Sequence, residues 1–275
     1  MTKYVLQEMG QSIVTSHSPY VIEQFDPKSV VILARDGDQV SGSPIDAASV
    51  KPKTYRAQRR QFAEAILSRA VLVVEGQTEM VAVHATSSAL DRLRPGYAHI
   101  DLAGVSLFNA GNDREVPKFA PIFKTMGKRV YGMRDKLNAP DATNAAEDIK
   151  SFDQLWESPE LGIEQLLVKQ VPLAVLRTFL DEAVQRDDYP AASHPYVSEQ
   201  IPDAALTSLA VSVLKARKGD NYGLGYAAML IDQCRTEADL PAFIRDALIA
   251  IDQDLGNVPE LVLVDEATVP PDVEE

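Results

Sequence analysis

Hydrophobic and polar positions change rhythm three times along this chain. Near the amino end, the apolar run in QSIVT (11–15) predicts a short buried strand, and SHSPYVIEQ a turn into a helix. SVVILARDGDQV (29–40) alternates around Asp36-Gly37 and predicts a hairpin turning there. From Tyr55 to Arg69 the period becomes helical, with Phe62, Ala65, Ile66 and Ala70 on one side and Arg56, Arg59 and Arg60 on the other.

A second regime then alternates short apolar runs with amphipathic stretches. AVLVV (70–74), HIDLAG (99–104) and KRVYGM (128–133) read as strands. Helices are expected at 77 to about 90 and at 115–127, the latter stopped by Gly127. Beyond the linker NAPDATNAAED (138–148), FDQLWESPELGIEQLLVKQV predicts one more edge strand and a helix. Strands separated by helices imply right-handed crossovers and a mainly parallel sheet. From 172 onward only helical periodicity remains, at 172–187, 202–217, 223–235 and 239–254, before an acidic, Pro-rich tail. The expected class is α/β, a parallel sheet flanked by helices, followed by an additional α-helical region.

Composition narrows this only a little. The 275 residues carry 45% hydrophobic and 24% charged positions, as globular chains do. No run reaches the roughly 20 apolar residues of a membrane span. Cys234 stands alone, which excludes a disulfide framework or a thiolate metal cage and makes the cytoplasm the expected compartment. Net charge is −13, from 27 Lys and Arg against 40 Asp and Glu. That balance disfavours passive binding of nucleic acid, unless divalent cations offset the repulsion.

The chemistry concentrates at strand ends. VLVVEGQTEM drives a buried strand into Glu75, Gly76 allows a sharp turn, and Glu79 falls in the first turn of the next helix. RVYGMRDK drives another strand into Asp135, which a parallel sheet would place beside Glu75. Carboxylates that close repel each other unless a proton or cation lies between them. Singly, each also reads as an ordinary helix-terminal acid or turn former.

Together, VLVVEGQTE and LFNAGNDREVPKFAPIFKTMGKRVYGMRDK resemble the Toprim domain of the OLD (overcoming lysogenisation defect) family nucleases. SIVTSHSPYVIEQF in turn resembles the last catalytic element of ABC-type ATPases, with His17 as the switch histidine that contacts the γ-phosphate of ATP; alone, His17 also reads as a turn residue. No G-x-x-x-x-G-K-[ST] loop occurs, so the expectation is a C-terminal portion of a longer ATPase-nuclease, binding ATP only through its missing region. The resemblance covers roughly residues 10–170, and 200–230 more loosely. It implies an ATPase remnant over 1–50, a Toprim catalytic domain over 51–170, a helical domain over 171–265 and a disordered tail over 266–275. A homodimer formed through the ATPase domain is a further implication.

The family's Asp-x-Asp is broken here to Asp135-Lys136-Leu137. Replacement acids lie in WESPELGIEQLL, where Glu164 and Glu160 are the candidates beside Ser158, with Asp141 a weaker substitute. The implied reaction is endonucleolytic hydrolysis of DNA with two Mg²⁺ or Mn²⁺ ions, held by Glu75, Glu79, Asp135 and Glu160 or Glu164. Oxygen ligands suit those hard cations. Glu75 is the candidate base. Lys218, in KARKGDNYGLGY, would balance charge on the reacting phosphate, although it also reads as a helix-terminal lysine, and Lys215 and Arg217 are next in line. Arg56, Arg59, Arg60 and Lys215, with Lys118, Lys124, Lys128 and Arg129, are expected along a DNA path that contacts phosphates. Tyr222 has no winged-helix setting, which argues against strand passage. The alternative reading is a non-catalytic Toprim module that binds nucleic acid or a partner.

Overall fold

The computed structural model describes residues 13–26, 29–36, 38–45, 52–137, 148–198, 200–217 and 225–256. Helix α1 (Pro19–Ile22) is followed by an antiparallel hairpin, β1 (Val31–Asp36) and β2 (Gln39–Pro44). Asp36 pairs with Gln39, so the reversal falls one residue later than the expected Asp36-Gly37. Helix α2 (Pro52–Leu67) leads into β3 (Ala70–Val74), α3 (Gln77–Leu93), β4 (Val105–Asn109), α4 (Val116–Thr125) and β5 (Arg129–Arg134). Then come β6 (Gln154–Glu157), α5 (Ile163–Gln170), α6 (Leu173–Ala183), α7 (Asp203–Ala216), α8 (Gly225–Asp232), a 3₁₀ turn at Glu237–Asp239 and α9 (Ala242–Gly256).

Four strands form one parallel sheet in the order β4-β3-β5-β6. In β3 every residue is buried, and successive side chains serve opposite faces. Val71 and Val73 join the core beneath α2 and α4, built on Phe62, Phe108, Phe119 and Phe123. Ala70, Leu72 and Val74 join the larger core under α3 and α5 to α9. A strand covered on both faces reads as an unbroken apolar run, which is why AVLVV lacks alternation. The helices after residue 172 share this second core with the sheet.

Two predicted strands are not formed. Residues 13–18 are irregular, with Ile13 90% and Val14 50% exposed, and belong to neither sheet. A strand needs a paired edge, and none of the described strands provides one there. Residues 99–104 make a turn, and the strand begins at Val105. His99, Asp101 and Ile100 carbonyls accept from Ala103, Gly104 and Val105 amides, and Gly104 sits at φ +75°, where glycine alone is comfortable.

Candidate metal centre

The site grows from the sheet topology. With β5 paired directly to β3, the residues that follow Val74 and Arg134 leave the sheet side by side. Glu75 accepts a hydrogen bond from the Asp135 amide, a contact that joins the two strand ends. Glu79 comes back over the turn from the start of α3, and a Cβ at Gly76 would stand 3.0 Å from its Oε2. A side chain at 76 would therefore have to displace the Glu79 carboxylate, while the φ of −158° suits any residue. Glu75, Glu79 and Asp135 each present an oxygen within 4.8 Å of the others.

A fourth acid arrives from outside these two strands. Glu164, in the first turn of α5, is buried at 5% exposure. A Cβ on Gly162 would lie 3.4 Å from Glu164 Oε2 and 3.9 Å from Asp135 Oδ2, so both carboxylates converge above that glycine. Glu160 points elsewhere: its Oε2 is held 2.7 Å from Lys169 Nζ. The open cleft over the acids is lined by Glu75, Glu79, Asp135, Glu164, Asn112 and Lys215, among others.

Electrostatics follow from this crowding. Burial pushes the Glu75 carboxyl up to about 8, with the charges of Asp135, Glu79 and Asp113 adding to it and the Asp135 amide opposing. Asp135 is raised to about 7 by burial, then by Glu79, Glu164 and Asp113, against a hydrogen bond from the Ile163 amide. The apolar wall beneath the acids, including Val74, Met133, Leu166 and Ile244, supplies the desolvation. A divalent cation would relieve both causes together. The donor set fits such an ion, because every converging atom is a carboxylate oxygen.

Asp113 escaped the sequence reading. It lies a few residues beyond the end of β4 at Asn109, in a loop where the Asn112 side chain accepts from the Arg114 and Glu115 amides. The available signal is the run VSLFNAGND, an apolar stretch that a short glycine-bearing loop carries to an acid. A strand at 99–104 would leave Asp113 far from any strand end, whereas β4 ends at Asn109.

The basic candidates divide by location. Lys215 is exposed at the cleft. Arg59 is exposed on α2, while Arg60 pairs with Glu64 at 2.6 Å and lies 3.6 Å over the Tyr20 ring. Lys118 pairs with Glu115. Lys124, Lys128 and Arg129 sit at the amino end of β5, opposite the acids, bonded to Asp153, the Ser68 carbonyl and Asp254. Arg217 donates to the Asp188 carbonyl at 2.5 Å. His17 is exposed in the irregular segment before α1. The Arg56 side chain, Asp141, Lys218 and Tyr222 lie outside the described residues.

Residues 66–136 match the family model described as Overcoming lysogenization defect protein-like, TOPRIM domain. No curated protein matches the chain. The matched span holds Glu75, Glu79, Asp113 and Asp135, while Glu164 and Lys215 lie beyond it. Toprim domains generally bind divalent metals, and this one points to a nuclease-type or otherwise nucleic-acid-related function. Among the described residues no helix is long and apolar enough to cross a membrane. By that match, and by the acids that its parallel sheet gathers at the strand ends, the chain carries an OLD-like Toprim region across residues 66–136.

Proposed function

We propose that this protein is a metal-dependent endonuclease that hydrolyses DNA phosphodiester bonds at the Glu75 cleft. The observation that carries the reading is the convergence of Glu75 and Asp135, from adjacent parallel strand ends, with Glu79 from the start of α3, and Glu164 beside Asp135. These four would hold Mg²⁺ or Mn²⁺, and Asp113 lies close enough to act on their charge. Bound divalent ions supply Lewis-acid activation of water and charge neutralisation at the scissile phosphate.

The chain's own groups supply the rest. Glu75, whose carboxyl is raised to about 8 by burial and would be ionised when a cation binds, would accept a proton from the attacking water. Glu164 takes the role that the missing second acid of Asp-x-Asp leaves open, because it reaches Asp135 from the other side. Lys215, at the cleft wall, offers a cation to a non-bridging phosphate oxygen. Arg59, on the exposed side of α2, would extend the phosphate contacts.

Nicking of supercoiled plasmid in Mg²⁺ and in Mn²⁺ tests the reading. The wild-type chain is expected to convert supercoiled to open-circle DNA, and Glu75→Ala and Asp135→Ala to abolish this while remaining folded. Intact DNA with every divalent ion, alongside retained DNA binding, would replace the nuclease with a binding module.

A further inference from the structure

The turn at 99–104 builds a second constellation, chemically unlike the first. His84 projects from α3, five residues and about one and a half turns beyond Glu79. His99 and Asp101 come from the turn that precedes β4, at the amino end of the sheet. Asp101 Oδ2 lies 3.6 Å from His99 Nδ1 and 3.9 Å from His84 Nδ1. One ligand atom from each residue falls within 4.8 Å of the other two. The imidazole planes are stacked, 18° apart, with centroids separated by 6.0 Å.

Their neighbours prepare these groups for a cation. Ser88 Oγ is 3.1 Å from His99 Nε2, which assigns the proton to Nε2 when the hydroxyl accepts it and leaves Nδ1 a lone pair. The Asp101 amide donates to that same Nδ1 over a long 3.3 Å, a weak bond that a bound cation would displace. A metal-bound imidazole ordinarily donates its other ring N–H to a carboxylate, a carbonyl or water, and the Ser88 hydroxyl would take that acceptor's place here. The turn itself is pinned to α3: Ser87 Oγ, fully buried, accepts from the Ile100 amide at 2.9 Å and meets Tyr97 Oη at 2.9 Å. The scaffold is therefore fixed before any ion binds.

We propose that His84, His99 and Asp101 form a second metal site, selective for a late first-row divalent ion of the Zn²⁺ class. Two imidazoles and one carboxylate suit such ions better than Mg²⁺, whereas the all-carboxylate set at Glu75 suits Mg²⁺ or Mn²⁺. Bonds of about 2.0–2.1 Å set donors about 3 Å apart, so the three atoms close by an ångström or so of side-chain adjustment. Three protein ligands leave a position for water. The ion would clamp the 99–104 turn onto α3, away from the nuclease cleft.

The test uses the untagged full chain with Glu75→Gln and Asp135→Asn, which remove the competing acidic site. Calorimetric titration with ZnCl₂ in excess Mg²⁺ is expected to give one site per chain. His84→Asn and His99→Asn should each weaken it at least about ten-fold, Ser88→Ala by about ten-fold, and His194→Gln not at all. Co²⁺ should give a visible absorption spectrum that disappears in His99→Asn. Absence of zinc binding by the folded parent, or affinity indifferent to both histidine substitutions, overturns the proposal. Circular dichroism of each variant distinguishes loss of ligand from loss of fold, and Ser88→Ala, which removes no ligand, carries the test if a histidine variant unfolds.

Discussion

Glu160 and Glu164 stand one helical turn apart in sequence and in opposite surroundings. Glu160 spends its charge on Lys169, in a partly exposed pair of the kind worth about 0–1 kcal/mol. Glu164 is buried beside Asp135. Glu164→Gln is accordingly expected to lower nicking about 100-fold or more, and Glu160→Gln to leave it within a few-fold of wild type. Initial rates at saturating Mn²⁺ compare them, and equal losses would return Glu160 to the site. The sequence offered both acids and had no means to choose. Which one faces the cleft depends on where α5 begins relative to β5, and on Lys169 lying within reach of Glu160. Asp113 teaches the complementary lesson, since its place a few residues beyond β4 is legible once that strand ends at Asn109.

Elements were legible where their periodicity was strong. Helices α2, α3, α4 and α5 and strands β3, β5 and β6 form close to where the apolar spacing puts them. The two misplaced strands share a cause: short apolar runs have strand character, but pairing decides whether a strand exists. Pairing also explains Gly132. It lies in the middle of β5, and an added Cβ would meet Leu155 Cδ1 and Phe152 Cε1 at 2.6 Å each. The glycine is needed because β6 and the residues before it press directly onto the strand. Gly132→Ala is expected to destabilise the fold by about 1–3 kcal/mol through overpacking. Urea denaturation measures this as a lower midpoint with an unchanged slope. A neutral result would mean that β6 sits less closely on β5 than described.

At the scale of the whole molecule, the acidic cleft makes stability depend on pH and metal together. Glu75 and Asp135 hold protons more tightly in the folded protein, at about 8 and about 7, than at their ordinary values of 4.5 and 3.8. Their contribution is therefore fully present below about pH 4 and is lost as pH rises through 7 and 8. In EDTA, the melting temperature should fall between pH 6 and pH 9, and Glu75→Gln should flatten that fall. Added Mg²⁺ should raise the melting temperature most at the alkaline end, where both carboxylates are ionised and no proton competes. Differential scanning fluorimetry across this range is the check, and a metal effect independent of pH would remove these acids from the binding site. On the proposed function, the net charge of −13 makes binding to DNA depend on recruited divalent cations, so DNA binding is expected to weaken in EDTA.

Sequence by itself determined the α/β class, the acids at the ends of β3 and β5, and the resemblance that the 66–136 match upholds. These are local properties, written in apolar periodicity and in residues a few positions apart. Tertiary structure alone decided that Glu164 rather than Glu160 reaches Asp135, and that His99 and Asp101 turn back onto His84. Each of these joins segments distant along the chain, and such contacts are set by which surfaces bury one another, a choice that no single stretch of sequence encodes.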